Sequence, residues 1–205
     1  TENGRKISKS SGATVDPHDL VGRYGTDAVR WWLLREVSKG ADADFTGDRL
    51  VARANDELAN GFGNLVNRVV TMIHRYRGGH VPDASGSAPA SASLAAAIAD
   101  APAAIGSALD DFDFRRAAGA VWTIADEANR YVNLARPWIL AKSGETEDLG
   151  AVLTAALRAC QAIGANLVPF LPGAASLITR QCAPDEAGVL LTPAPLLPRL
   201  PVDGE

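Results

Sequence analysis

The chain has 205 residues, of which 47% are apolar and 21% charged, and its formal net charge at pH 7 is −4. A chain of this length can bury one large core or two smaller ones. It contains no run of about 18 apolar residues, so we expect a globular protein without a membrane partner, and nothing at its start argues for secretion. The negative charge argues against non-specific binding to DNA or RNA, but it leaves a local binding site open.

Cys160 and Cys182 are the two cysteines of the chain. They lie far apart in the sequence and neither belongs to a CxxC pair, so we interpret them as reduced thiols of a cytoplasmic protein. The three histidines share no metal-ligand spacing with each other or with the cysteines. The sequence therefore predicts no metal site.

A basic loop is predicted near the start of the chain, over residues 3–12. It contains two lysines, an arginine and three serines, with glycines near both ends. Such a loop suits a polyanion that binds and leaves, for example a triphosphate or pyrophosphate. The alternative is a solvated loop near a terminus. Because the sequence opens on Thr1, directly before this loop, we expect it to be part of a longer polypeptide.

Two short helices follow the loop. Asp16 is a good N-cap and Pro17 suits the first turn of a helix over residues 18–23. A second helix is predicted over residues 28–36, and residues 38–45 are polar and turn-rich, with at most a short strand. These small elements predict a connector, which together with the basic loop occupies residues 1–45.

The longest helical pattern starts at Thr46 or Asp48 and extends to about Arg77. Gly78 and Gly79 signal its end, and the composition of residues 83–93 predicts a flexible linker. Apolar residues recur along the helix at steps of three and four, as one stripe: Leu50, Ala54, Leu58, Phe62, Leu65, Val69, Met72 and Tyr76.

Four further helices are predicted, over residues 94–109, 114–134, 149–167 and 169–181. Pro102 kinks the first of them or marks its true start. Phe114 belongs to the predicted buried face of the second, with Ala117, Ala118 and Val121. Five helices with short connections and almost no strand signal predict an all-α fold, an antiparallel helix bundle over residues 46–190. The proline-rich residues 191–205 are predicted to be an extended tail.

Asparagines interrupt the long helix at positions 60, 64 and 67, although asparagine is a poor residue for a helix interior. Asn64 and Arg68 lie on one face, at i and i+4. An amide beside a guanidinium suits the reading of base edges and phosphate. The alternative is a solvated face, or contacts to neighbouring helices.

Trp138 follows Pro137 at a predicted connection between two helices. A tryptophan in this position either fills the core or forms an exposed platform on which an unstacked base lies. The sequence leaves both alternatives open.

Taken together, these residues resemble the C-terminal half of the methionyl-tRNA synthetases, which are class I aminoacyl-tRNA ligases. Lys6-Ile7-Ser8-Lys9-Ser10 matches the KMSKS signature of that class, with isoleucine in place of methionine. Residues 15–30 resemble the segment that joins the catalytic domain to the helical bundle. Residues 60–68 resemble the first anticodon-domain helix, and the runs 128–133 and 136–138 resemble the helix end that faces it. The likeness is collinear over nearly the whole chain.

The resemblance implies roles for two groups of residues. Lys9 would contact the phosphates of ATP, which with Mg²⁺ is a substrate of the complete enzyme, and would stabilise charge on the leaving pyrophosphate. Lys6, Ser8 and Ser10 would support the closed loop at the ATP. The CAU anticodon of methionine tRNA would be read and stacked by Asn64, Arg68 and Trp138.

The resemblance also implies what is missing. The nucleotide-binding fold, the HIGH motif and the methionine pocket of the family lie upstream of the KMSKS loop. We therefore expect this chain alone to be inactive and to need a catalytic domain, upstream in a parent chain or supplied in trans. Two alternatives are a free-standing, non-catalytic tRNA-binding module and a helical interaction protein.

Overall fold

The computed structural model describes residues 1, 16–38, 40, 42–82 and 92–201. Within these residues the protein is all-α, as predicted, and its only β pairing consists of isolated bridges. Its elements are α1 (Pro17–Tyr24), α2 (Thr26–Glu36), α3 (Gly47–Arg53), a π-helical segment (Ala54–Gly63), α4 (Asn64–Arg77), α5 (Ala92–Asp110), α6 (Phe114–Ala135), α7 (Pro137–Ser143), α8 (Thr146–Leu167) and α9 (Pro172–Gln181).

Of the two connector helices, α1 packs against α2, and α2 contacts α3, the π segment, α6 and α9. Asp16 caps α1 as predicted, because its side chain accepts a hydrogen bond from the His18 amide at 2.8 Å. On α2, Asp27 accepts a hydrogen bond from the Ala174 amide at 2.7 Å, and the Arg30 Nε donates to the Phe170 carbonyl at 2.7 Å. These contacts hold α2 against the bundle.

Helices α3 and α4 and the π segment between them follow one another without a break and form one long helical rod. The predicted apolar stripe is confirmed, since all of its residues are buried except Tyr76, which is half-buried. Gly78 ends the rod with a φ of 61°, a left-handed conformation that glycine adopts without steric cost. The π segment was not predicted. At Gly61 a Cβ atom would lie 2.5 Å from the Trp122 ring, so only glycine fits there.

The bundle is centred on α6, which packs between α5 and α8, while α8 also contacts α4 and α9. Helices α5 and α6 form an antiparallel hairpin, and Pro102 lies inside α5 without ending it. Ala117, Ala118 and Val121 are buried as predicted. The prediction for Phe114 is wrong, since its side chain is 48% exposed. Phe114 is the first residue of α6, at the tip of the hairpin, where neighbouring helices do not cover it.

Helix α5 is long and apolar enough, by length and composition alone, to cross a membrane. Such a helix, taken singly, is weak evidence for a membrane protein. Here it lies along α6 and buries Leu94, Ala101, Ile105 and Ala108.

The described part of the tail, residues 191–201, contains no helix or strand and folds back onto the π segment. The Asn55 side chain donates to the Leu200 carbonyl at 2.9 Å and accepts from the Leu200 amide at 2.7 Å. Asn55 is buried, so these two hydrogen bonds satisfy a polar group in the interior and pin the tail in place.

Both cysteines are buried and free. A hydrogen bond with Cys182, together with burial, raises the pKa of the Cys160 thiol well above its ordinary value. This disfavours the reactive thiolate. Among the described residues, no three histidine, cysteine or carboxylate side chains form a group that could hold a metal ion.

Candidate nucleic-acid interface

A sharp turn between α6 and α7 presents Trp138. Arg136 lies between the helices with a φ of 47°, a left-handed conformation that is uncommon for arginine. Its amide donates to the Val132 carbonyl, which ends α6, and its carbonyl accepts from the Ile139 amide at 2.8 Å, which starts α7. Pro137 is buried at the first position of α7. Trp138, the next residue, is 42% exposed, which favours an exposed platform over a core plug.

Arg68 lies over this tryptophan. Its guanidinium carbon is 5.6 Å from the centre of the Trp138 ring, within the range of a cation–π contact. Its Nη2 donates a hydrogen bond to the Asn133 Oδ1 at 2.8 Å. Side chains from α4, α6 and α7 therefore converge at one point on the surface.

The Arg68 guanidinium has an uncharged partner at this point. Among the described residues, its one hydrogen-bond partner is the neutral Asn133 amide, and no carboxylate forms an ion pair with it. One of the five N–H groups of its guanidinium is used by Asn133. The others, next to an exposed indole, can donate to an incoming anion or base edge.

Asn60, Asn64 and Asn67, the asparagines singled out from the sequence, lie on the rod just before Arg68. Asn60 and Asn64 are exposed and Asn67 is half-buried, and all three line a cleft of about 190 Å³. The opposite wall of the cleft is formed by the tail, with Pro195, Leu196, Leu197 and Arg199. The asparagines are thus kept out of the core, and Asn64 is one helical turn from Arg68.

The structure brings Arg68 and Trp138 into contact and places Asn64 on the adjoining turn. The other predicted site residues, which are Lys6, Ser8, Lys9 and Ser10, lie outside the described residues. Sequence reasoning missed two residues of this surface, Asn133 and Arg199. Asn133 lies five residues before Trp138, and Arg199 is the one cation in the sequence after Arg180.

A second arginine–tryptophan pair lies on α2, against the π segment, with Trp31 fully buried and Arg35 half-buried. The Trp31 Nε1 donates to Glu57 at 2.7 Å, and Arg35 donates to both Glu57 oxygens at 2.9 and 3.0 Å. Arg53 also donates to Glu57, at 2.7 Å, and pairs with Glu36. This network joins α2 to the π segment.

The network keeps Glu57 ionised although the residue is only 5% exposed. Burial opposes ionisation, but the hydrogen bond from Arg35 and the charges of Arg35 and Arg53 outweigh it. The pKa of Glu57 is therefore held below its ordinary value.

Two known protein families match this chain, one over its first part and one over its second. Residues 1–70 match the family described as tRNA synthetases class I (M). Residues 81–201 match the family described as the anticodon binding domain of methionyl tRNA ligase. The chain therefore belongs to the methionyl-tRNA ligase family, and it comprises the end of the class I catalytic domain and the anticodon-binding domain. The family resemblance and the fold predicted from the sequence are both confirmed.

Two methionine–tRNA ligases are similar to this chain along most of its length. The methionine–tRNA ligase of Thermotoga maritima is 36% identical over 186 residues, which cover 91% of this chain and 30% of the relative. That of Caldanaerobacter subterraneus subsp. tengcongensis is 39% identical over 170 residues, which cover 82% and 27%. The chain thus spans less than a third of the length of these two relatives.

Solved structures of a methionyl-tRNA synthetase have a fold similar to that of this chain. Mycobacterium tuberculosis methionyl-tRNA synthetase bound by methionyl-adenylate is 28% identical, with a TM-score of 0.87, over 95% of this chain and 42% of that one. The apo form of the same enzyme is 27% identical, with a TM-score of 0.83, over 90% of this chain and 41% of that one.

Proposed function

We propose that Arg68, Trp138 and Asn64 bind the CAU anticodon of methionine tRNA. The observation that carries the proposal is the contact of Arg68 with the half-exposed Trp138 ring. A base stacked on an exposed aromatic ring gains about 1–3 kcal/mol. The remaining N–H groups of Arg68 provide donors for base edges or phosphate beside that ring.

Asn133 acts in this proposal as a positioning residue. Its side-chain oxygen, Oδ1, accepts a hydrogen bond from the Arg68 Nη2 and so fixes the guanidinium over the indole before RNA binds. A group held in its bound conformation loses less entropy on binding, which favours affinity. An amide holds the guanidinium without neutralising its charge.

We also propose that the chain is the tRNA-recognising part of a methionine–tRNA ligase, which converts ATP, L-methionine and tRNA to methionyl-tRNA in the cytoplasm. Residues 1–45 carry the KMSKS loop and the connector, residues 46–190 the anticodon-binding bundle, and residues 191–205 the tail. Lys9, Lys6, Ser8 and Ser10 act at the phosphates of ATP, with Mg²⁺ as part of that substrate. A catalytic domain, in a parent chain or in trans, supplies the methionine pocket, and the chain alone is inactive.

The anticodon proposal is tested by fluorescence anisotropy with a labelled stem-loop of methionine tRNA. A second stem-loop differs only in its anticodon, GAU in place of CAU. We expect the altered stem-loop to bind about tenfold more weakly or worse, as expected for one misread base. Equal affinities for the two stem-loops would contradict anticodon reading.

Pyrophosphate exchange with ATP and methionine tests the catalytic proposal separately. We expect no exchange from this chain alone and measurable exchange after a family catalytic domain that ends before the KMSKS loop is added. Exchange by the chain alone would show that it contains a complete active site.

A further inference from the structure

A cavity of about 380 Å³ lies where the connector, the π segment, α9 and the tail meet. Its volume lies within the range of small-molecule pockets, which begin at about 300 Å³. The cavity shares Leu196 and Leu197 with the asparagine cleft, and its other lining residues are separate from that cleft. It is therefore a candidate binding site distinct from the proposed anticodon surface.

The walls of the cavity are aliphatic with one acidic group. Five leucines and Ala54 line most of it, whereas Asp27 is its one carboxylate and Tyr24 its one aromatic residue. Among the described residues that line it, none is a lysine, arginine or histidine. An aromatic ring beside a carboxylate is a combination that attracts cations. The Arg23 guanidinium lies 5.1 Å from the centre of the Tyr24 ring and is not among the described lining residues of the cavity.

The Asp27 carboxylate is fixed in place and has one oxygen to spare. Its Oδ2 accepts from the Ala174 amide, and a Cβ on Gly173 would lie 2.8 Å from that oxygen, so the carboxylate is closely packed there. Its Oδ1 has no hydrogen-bond partner among the described residues. The nearby Arg30 donates instead to the carbonyls of Pro169 and Phe170.

We propose that this cavity binds a small primary ammonium compound with an apolar tail. The ammonium group donates to the Asp27 Oδ1 beside Tyr24, and the tail packs against Leu58, Leu177 and Leu197. Anionic ligands are repelled by Asp27, and neutral ligands gain only the apolar contacts. The proposal does not depend on the proposed function.

The tail closes this site, because Leu196, Leu197 and Leu200 form part of its wall. Leu200 is held by its two hydrogen bonds with Asn55. A bound ligand adds contacts on the inner side of the tail and so stabilises the closed position. Hydrogen exchange at the Leu200 amide should therefore slow on binding, which gives a second readout.

The test is a calorimetric titration at pH 7 with three probes of similar shape: 4-phenylbutylamine, 4-phenylbutan-1-ol and 4-phenylbutyrate. We expect saturable 1:1 binding of the amine, about tenfold tighter than the alcohol, as a charge-assisted hydrogen bond provides. The carboxylate should not bind. Equal binding of all three probes, or binding of the amine that does not saturate, would overturn the proposal.

Asp27→Asn isolates the charge, because asparagine still offers an oxygen to the Ala174 amide. We expect the affinity of this variant for the amine to fall to that of the alcohol. The matched control is Asp126→Asn, which removes the same charge from an exposed position on α6 and should leave amine binding unchanged. An amine preference that survives in Asp27→Asn contradicts the assignment.

Leu177→Trp keeps the test decisive if Asp27→Asn fails to fold. Leu177 is a half-buried residue of α9, and a larger side chain there fills the cavity while Asp27 stays in place. We expect this variant to lose amine binding and the slowed exchange at Leu200. Amine binding of normal affinity in a folded Leu177→Trp variant would place the ligand elsewhere.

Discussion

The molecule contains two arginine–tryptophan pairs, one on α2 and one formed between α4 and α7, and their surroundings differ. Arg35 lies 5.7 Å from the centre of the Trp31 ring, and Arg68 lies 5.6 Å from that of Trp138. Trp31 is fully buried, whereas Trp138 is 42% exposed. Arg35 is paired with the Glu57 carboxylate, whereas Arg68 is held by the Asn133 amide.

The difference between the partners agrees with a structural role for the Arg35 pair and with the proposed binding role for the Arg68 pair. A buried charge without a counter-charge is strongly unfavourable, so the buried Glu57 carboxylate requires Arg35 and Arg53. Arg68 is half-buried, as Arg35 is, but no carboxylate among the described residues pairs with it, and its neutral partner leaves its charge available to a ligand. The geometry of the two pairs is similar, and the charge of the third residue distinguishes them.

The largest effect is expected at the buried pair. Glu57→Ala leaves Arg35, Arg53 and the Trp31 Nε1 without their shared acceptor, and removing one partner of a buried ion pair costs about 3–5 kcal/mol. We expect a loss of that size in the free energy of unfolding, measured with urea. Asn133→Ala, at the exposed pair, should cost less than about 1 kcal/mol. Similar losses in the two variants would remove the distinction between the pairs.

The next largest effect is expected at Gly61, which lies in the π segment and packs against Trp122 of α6. Gly61→Ala places a methyl group in the space of the Trp122 ring, and overpacking of this kind costs about 1–3 kcal/mol. Gly106→Ala is the matched control, because a Cβ there meets nothing within 4 Å and the position is helical. We expect the control variant to be slightly more stable, because alanine favours helix. A Gly61→Ala variant as stable as its control would contradict the close packing.

A smaller effect, on binding alone, is expected at Arg68. Arg68→Ala should weaken stem-loop binding by about 1–3 kcal/mol, since it removes base-directed donors. If Arg68 also contacts a phosphate, the slope of log K against log salt should become shallower by about 0.7. Arg75→Ala removes the same charge from an exposed position on the same helix and controls for general electrostatics. Equal losses in the two variants would indicate non-specific attraction.

The smallest effect is expected from pH. The pKa of Glu57 is lower in the folded state than its ordinary value of 4.5. Its ionised form therefore stabilises the fold above that value, and the contribution is lost as pH falls through the folded pKa. The urea midpoint should drop as pH is lowered from 6 to 3, and Glu57→Gln should make the drop smaller. An unchanged pH dependence in Glu57→Gln would show that other carboxylates account for the drop.

Sequence patterns predicted the features that depend on periodicity and local signals. The apolar stripe of the long helix, the Asp16 cap and the Gly78 end each follow from residues close in sequence, and the structure confirms them. The error at Phe114 has a tertiary cause, because periodicity places a residue on a face but does not show where neighbouring helices end. The sequence could not decide whether Trp138 is buried or exposed for the same reason, because the exposure of its side chain depends on the packing of the whole bundle.

Contacts between distant residues could not be predicted. The Asn133 hydrogen bond to Arg68 and the Asn55 clamp on Leu200 join residues 65 and 145 positions apart. A polar residue in an apolar helix suggests that a partner exists, but the sequence does not identify it. The resemblance to the synthetases was informative because it implied which distant positions share a surface.

The central claim is that Trp138 serves binding and Trp31 serves the fold. The most direct test measures urea unfolding and stem-loop affinity for Trp138→Ala and Trp31→Ala. We expect Trp138→Ala to keep its stability within about 1 kcal/mol and to lose about 1–3 kcal/mol of binding. Trp31→Ala should lose about 3–5 kcal/mol of stability. A Trp138→Ala variant that is strongly destabilised, or that binds the cognate stem-loop normally, would contradict the account.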